Sequence, residues 1–136
     1  MGMYTEFHFN ALLKPDVPKK VIDVLKCMVG DPSCPHERTE GIDTRDLPDH
    51  ALFGETRWRW MLTGNSYYFD MVPSSILKWD SISNAYYLST RSNFKNYDNE
   101  ISLFIDWIKP YLDKDDGEFL GFSRYETTET PTLIYM

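Results

Sequence analysis

Alternation of apolar and polar residues marks the start of the chain as a β-strand. Between positions 4 and 13 every second side chain belongs to one largely apolar face, while Glu6, His8 and Asn10 occupy the other. From position 21 to 29 the apolar residues instead recur at helical spacing and are followed by glycine and proline. The pattern predicts a first strand and then an amphipathic helix.

The rest of the chain contains further strand-like segments and one more helical segment. The pattern predicts strands at 56–63, 67–71, 85–91, 118–126 and 131–136, an edge segment at 76–79, and a second helix from 97 or 98 to 112. Gly64-Asn65-Ser66 has the composition of a tight turn, which predicts a hairpin between the strands on either side of it. Residues 31–50 show neither period and are predicted to form a long loop.

This order of elements predicts an α+β fold. The sequence of elements β-α-β-β-β-α-β-β favours a single, mostly antiparallel sheet with two helices packed on one face. The chain of 136 residues suits one domain over positions 1–136. The opposite face of the sheet is then expected to be open.

Charge and composition narrow the function classes. The formal net charge is -7, so binding to phosphate backbones is disfavoured. No apolar run is long enough to span a bilayer and no signal segment is visible, so we expect a soluble, cytoplasmic protein. In that compartment Cys27 and Cys34 are expected to be reduced thiols.

The run Arg57-Trp58-Arg59-Trp60 alternates guanidinium and indole groups with the two-residue period of a strand. Of six arginines, four fall in predicted strands, which would gather positive charge on the open face for a carboxylate, a phosphate or an acidic partner. The alternative is that these arginines only form cross-strand ion pairs with glutamates. The predicted binding residues are Glu6, His8, Arg57, Arg59, Tyr87, Arg91 and Arg124.

Other chemistries find weaker support in the sequence. Cys27, Cys34, His36 and His50 are ligand types for zinc, but their spacing fits none of the compact zinc-site patterns, so we predict no metal. There is no glycine-rich phosphate loop, nucleophile elbow or paired-histidine helix, and no cofactor or catalytic residue is assigned. Aromatic residues between 58 and 87 are compatible with base stacking, but the consensus strands of RNA-binding domains are absent.

The sequence therefore favours a non-enzymatic protein-interaction module that binds a macromolecular partner through its aromatic and arginine-bearing sheet face or its 31–50 loop. Inhibitors, immunity-type proteins and phage or mobile-element accessory proteins are analogous small acidic domains. The alternative is a small enzyme or ligand-binding protein that uses His8 with Glu6 and the strand arginines on an anionic substrate. A homodimer formed through the edge of the closing strand is a third hypothesis.

Overall fold

A computed structural model describes residues 3–65 and 70–136 of the chain. It contains two α-helices and a five-stranded antiparallel sheet, so the predicted α+β class is confirmed. The elements are β1 (Thr5–Leu12), α1 (Lys19–Met28), β2 (Ser74–Asp80), β3 (Ala85–Phe94), α2 (Glu100–Ile108), β4 (Phe119–Tyr125) and β5 (Thr132–Tyr135). In the described part of the chain, no helix is long and apolar enough to cross a membrane.

The sheet has the strand order β2-β3-β1-β4-β5, so the first strand of the chain lies at its centre. Phe7 and Phe9 of β1 are fully buried and each packs edge-on against the ring of Phe104 in α2. The apolar stripe of α1, including Val24 and Leu25, belongs to the same core. Both helices therefore lie on one face of the sheet, as the sequence predicts.

The prediction of a strand at 56–63 is wrong. Arg57–Arg59 forms a short 3-10 helix that is followed by a turn. The buried residues are Trp58, Met61 and Leu62, whose spacing of three and four is helical, so this period describes the segment better than the alternation of tryptophan and arginine. The chain consequently has five strands in the described residues rather than the six predicted.

The predicted strand at 67–71 falls largely on 67–69, which lie outside the described residues, and its last two positions, Asp70 and Met71, are not in a strand. Of the predicted turn, Gly64 lies beside β3 and its carbonyl accepts the backbone N–H of Asn93 at 3.1 Å. The predicted edge segment at 76–79 is confirmed, since β2 forms one edge of the sheet. Residues 31–50 form no strand or α-helix, but two short 3-10 helices and buried Ile42 attach them to the core.

Cys27 and Cys34 form a disulfide, which overturns the expectation of reduced thiols. Cys27 lies in the last turn of α1, and the chain reverses at Gly30, where φ is +74°. This left-handed glycine brings residue 34 back to the end of the helix. The disulfide therefore fastens the start of the 31–65 segment to α1.

We expect reduction of this disulfide to lower the free energy of unfolding. The two cysteines are seven positions apart, and closing so short a loop restricts the unfolded chain by about 2 kcal/mol. Urea denaturation with and without dithiothreitol measures the difference. The double variant Cys27→Ala/Cys34→Ala is the control and should not respond to dithiothreitol. Equal midpoints for the oxidised and reduced wild-type protein would contradict the expectation.

Candidate functional site

The sheet face opposite the helices carries most of the predicted binding residues. Strand register pairs His8 with Arg91 on one side and with Phe122 on the other, and it pairs Glu6 with Arg124. Since directly paired residues point to the same side of a sheet, these side chains share one face. We call it the open face; its members in β1 to β5 include Glu6, His8, Asn10, Ile76, Lys78, Tyr87, Ser89, Arg91, Phe119, Phe122, Arg124, Leu133 and Tyr135.

The open face is substantially uncovered. Ile76 is 53% exposed, Tyr87 is 45% exposed and Tyr135 is 48% exposed, although all three lie within strands. Phe119 and Tyr135 contact each other edge to face, with ring centroids 5.8 Å apart. In the described residues, therefore, no helix shields these side chains from solvent.

Glu6 connects neighbouring side chains on the open face. Its side chain is largely buried, accepts a hydrogen bond from Arg124 Nε and lies 3.3 Å from His8 Nε2. The imidazole of His8 stacks on the ring of Phe122, with centroids 4.3 Å apart and planes at 14°. These contacts hold the imidazole in one orientation beside a carboxylate.

One end of this face is acidic and partly covered. The segment beginning at Asp70 contributes the carbonyl of Val72, which accepts a hydrogen bond from Arg91 Nε at 2.9 Å. Near it is a cavity of about 480 Å³. Its described lining is Glu6, Asp70, Met71, Arg124, Glu126, Thr127, Thr128 and Glu129. Four carboxylates against one guanidinium disfavour an anionic ligand there.

The other end of the open face forms a shallow apolar groove of about 630 Å³. Its floor includes Leu12, Ile76 and Tyr87, which come from three neighbouring strands. Charged side chains at its border are Lys78, Asp113, Lys114 and Glu118. The two positive and two negative charges balance, so the groove offers apolar area within a charged border.

Arg57 and Arg59 are not on the open face, contrary to prediction. Arg57 lies at the start of α2, where Nη1 is 2.9 Å from Asp98 and 3.6 Å from the fully buried Glu100. Arg59 stacks over the ring of Trp58, with the guanidinium carbon 5.1 Å from the ring centroid. The 3-10 helix directs both side chains away from the sheet face, so the predicted cluster of arginines does not form.

Arg57 compensates the buried charge of Glu100, and the substitution Arg57→Ala should therefore destabilise the fold. We expect a loss of about 2 kcal/mol, since a buried carboxylate loses its cation. Chemical denaturation measures this loss. Arg38→Ala is the matched control, because Arg38 is exposed and its ion pair with Glu40 is long, at 4.0 Å. This substitution should lower the free energy of unfolding by less than about 0.5 kcal/mol. Equal effects of the two substitutions would refute the assigned role of Arg57.

Three of the four residues considered for a metal site have other partners. The two cysteines form the disulfide and are not thiolate ligands. His50 Nδ1 accepts the backbone N–H of Leu52, so Nε2 carries the proton and donates to Asp106 at 2.8 Å. Among the described residues, no group of three or more His, Cys, Asp and Glu side chains is arranged to hold a metal ion.

Sequence reasoning missed Asn93, Ile76, Phe119 and Tyr135. Ile76 and Tyr135 lie in segments predicted as strands, and their place on the open face follows from the strand alternation alone. Phe119 was hidden by a β-bulge at Leu120, which shifts the alternation along β4 and turns Leu120 into the core. Asn93 lies beyond the predicted end of its strand, because β3 extends to Phe94.

Trp60 lies outside the core and is oriented by an acidic partner. Its indole N–H donates to Glu40 Oε1 at 2.8 Å, and the ring is 45% exposed. The hydrogen bond from the backbone N–H of Glu40, together with the one from Trp60, lowers the pKa of the Glu40 carboxyl. The indole is thus held by a charged acceptor at neutral pH.

We expect the Trp60 indole N–H resonance to titrate with a midpoint below that of an ordinary glutamate, because the pKa of the Glu40 carboxyl is lowered. A lowered folded-state pKa means that the charged hydrogen bond is present above the unfolded value and lost only as the pH falls through the folded one. Proton–nitrogen NMR spectra measure the midpoint. Glu40→Gln is the control and should abolish this titration, while a midpoint at or above the ordinary glutamate value would contradict the expectation.

Comparisons of the chain with protein-family models, with curated proteins and with solved structures gave no match.

Proposed function

We propose that this protein is a non-enzymatic interaction module whose open face binds another protein of net basic charge. The observation that carries the proposal is the half-exposed state of Ile76, Tyr87 and Tyr135 on a sheet face that no helix covers in the described residues. Large aromatic and aliphatic side chains that stay exposed within a rigid element are typical of docking surfaces. The chemical class of the partner follows from shape and charge.

The shape of the open face suits a macromolecule better than a small substrate. The apolar groove at Ile76 and Tyr87 is shallow, and the aromatic pair Phe119 and Tyr135 extends the exposed area across β4 and β5. A protein partner could cover both regions at once, with the charged border as the polar rim of the interface. His8 belongs to β1, the central strand that separates the strands of the two regions.

Charge favours a basic partner over the acidic one that the arginines suggested. The chain carries a formal charge of -7, and the cavity beside Glu6 and Asp70 is lined by more carboxylates than guanidinium groups. The net negative charge would therefore attract a positively charged protein and speed its encounter with this chain. The same charge would repel nucleic acid. The two arginines in strands, Arg91 and Arg124, both contact acceptors of this chain.

The enzymatic alternative keeps only part of its predicted site. His8 does lie beside the Glu6 carboxylate, as a proton carrier with an orienting group would. Arg57, however, lies at the start of α2 and Arg59 lies against Trp58, so two of the arginines predicted to hold an anionic substrate are elsewhere. The interaction module is therefore the better-supported function.

The cellular compartment is a separate part of the proposal. The sequence favoured the cytoplasm, where inhibitors and immunity-type proteins of this size act. The Cys27–Cys34 disulfide argues for an oxidising setting, because reducing compartments keep most cysteines as thiols. Thiol trapping in intact cells, followed by mass spectrometry, distinguishes the two compartments through the redox state of this cysteine pair.

The binding surface is tested by photo-crosslinking in cells. The crosslinking residue p-benzoylphenylalanine is placed at Tyr87, in the groove, or at Ile82, an exposed position in the β2–β3 turn that serves as the matched control. We expect a crosslinked protein of basic net charge from position 87 and none from position 82. A crosslink to a second copy of this chain would replace the proposal with self-association, and equal or absent crosslinks at both positions would refute it.

The captured protein is then purified and titrated with the module. Tyr87→Ala should weaken binding at least tenfold, since a central aromatic residue in an interface contributes about 2 kcal/mol or more. Ile82→Ala should leave the dissociation constant unchanged. Higher salt should slow association with a basic partner. A dissociation constant that responds equally to both substitutions would show that the open face is not the contact surface.

A further inference from the structure

A second cavity, of about 310 Å³, lies where the segment around Gly64 passes β3. Its wall includes Tyr4, Trp60, Asn93 and Lys95. Gly64 makes this close passage possible: a Cβ there would lie 2.5 Å from the carbonyl oxygen of Asn93, so a larger residue would push the segment away. The shape of the cavity therefore depends on glycine at position 64.

Asn93 is the unusual residue of this cavity. The residue is 1% exposed, and within residues 3–65 and 70–136 neither Oδ1 nor Nδ2 of its side chain has a hydrogen-bond partner. Burying an amide with both polar atoms unpaired opposes folding, and native proteins keep few such groups. A group that brings a donor next to an acceptor would satisfy both atoms at once.

An aromatic ring stands at the same cavity. Trp60 is 45% exposed, and its hydrogen bond to Glu40 orients the indole, so an exposed ring of fixed orientation borders the cavity. Tyr4 contributes a second ring to the wall, with Lys95 Nζ 6.0 Å from its centroid. A buried amide together with an oriented indole favours a planar ligand with polar edges.

We propose that this cavity binds a nucleobase. Each nucleobase carries a donor beside an acceptor on one edge, which matches the two atoms of an asparagine amide, and its flat face stacks on tryptophan or tyrosine. The volume of about 310 Å³ is at the small end of ligand pockets and suits a single base or nucleoside. The site is separate from the groove at Ile76 and Tyr87.

Binding is tested with adenosine, cytidine, guanosine and uridine, followed by proton–nitrogen NMR of the wild-type protein. At least one nucleoside should bind saturably and shift the Asn93 side-chain amide and the Trp60 indole N–H together. The corresponding monophosphate should bind more tightly at low salt, because Lys95 lies in the cavity wall. No shift with any nucleoside at millimolar concentration would overturn the proposal.

Two variants separate ligand recognition from folding. Asn93→Leu should raise the melting temperature, since it replaces an unpaired buried amide by an apolar side chain of similar size, and it should weaken nucleoside binding at least tenfold. Trp60→Leu removes the stacking ring without opening the core and should also weaken binding at least tenfold. Either variant binding as tightly as the wild type would refute the assigned site.

The control is Tyr87→Ala, on the same strand but outside the cavity. It should leave nucleoside affinity unchanged while it weakens binding of the protein partner to the open face. Because the two sites respond to different substitutions, failure of one proposal leaves the other testable. Equal loss of nucleoside affinity in Tyr87→Ala and Asn93→Leu would show that binding is not at this cavity.

Discussion

The contact of Phe7 and Phe9 with Phe104 is the packing interaction on which the rest of the structure depends. It joins the central strand to α2 and decides which side of the sheet becomes the core. Since side chains alternate along a strand, the same choice places Glu6 and His8 on the opposite side. The composition of the open face, from its exposed rings to its buried carboxylate, follows from which side of β1 packs against α2.

The segment from 31 to 65 supplies core residues without forming a strand or an α-helix. Leu52, Trp58, Met61 and Leu62 are fully buried, and Phe53 contacts the rings of Trp58 and Trp107. This segment therefore completes the helical side of the sheet, which a ten-residue α1 and a nine-residue α2 do not cover alone. Two helices and this long segment thus cover one side of the sheet, and the groove lies on the other side.

Sequence patterns predicted the fold class because β1, β3, α1 and α2 each keep one clear period. They did not predict the conformation of Arg57–Arg59, since three residues of alternating character fit a strand and a 3-10 turn equally well. Nor could they place Phe119 with Arg124, because a bulge changes which residues share a face. The disulfide was missed for a different reason: the cysteines were assigned to a reducing compartment, and the turn at Gly30 that brings Cys34 back to Cys27 is visible only in the structure.

The central position of β1 has a consequence for how the molecule forms. Its register joins Thr5 to Phe94 and Glu6 to Arg124, so the middle of the sheet is assembled from residues far apart along the chain. Such a topology has high contact order, which slows folding. During synthesis β1 emerges before both of its neighbours, β3 and β4, and stays unpaired until they follow, so nascent chains should depend on protection from chaperones.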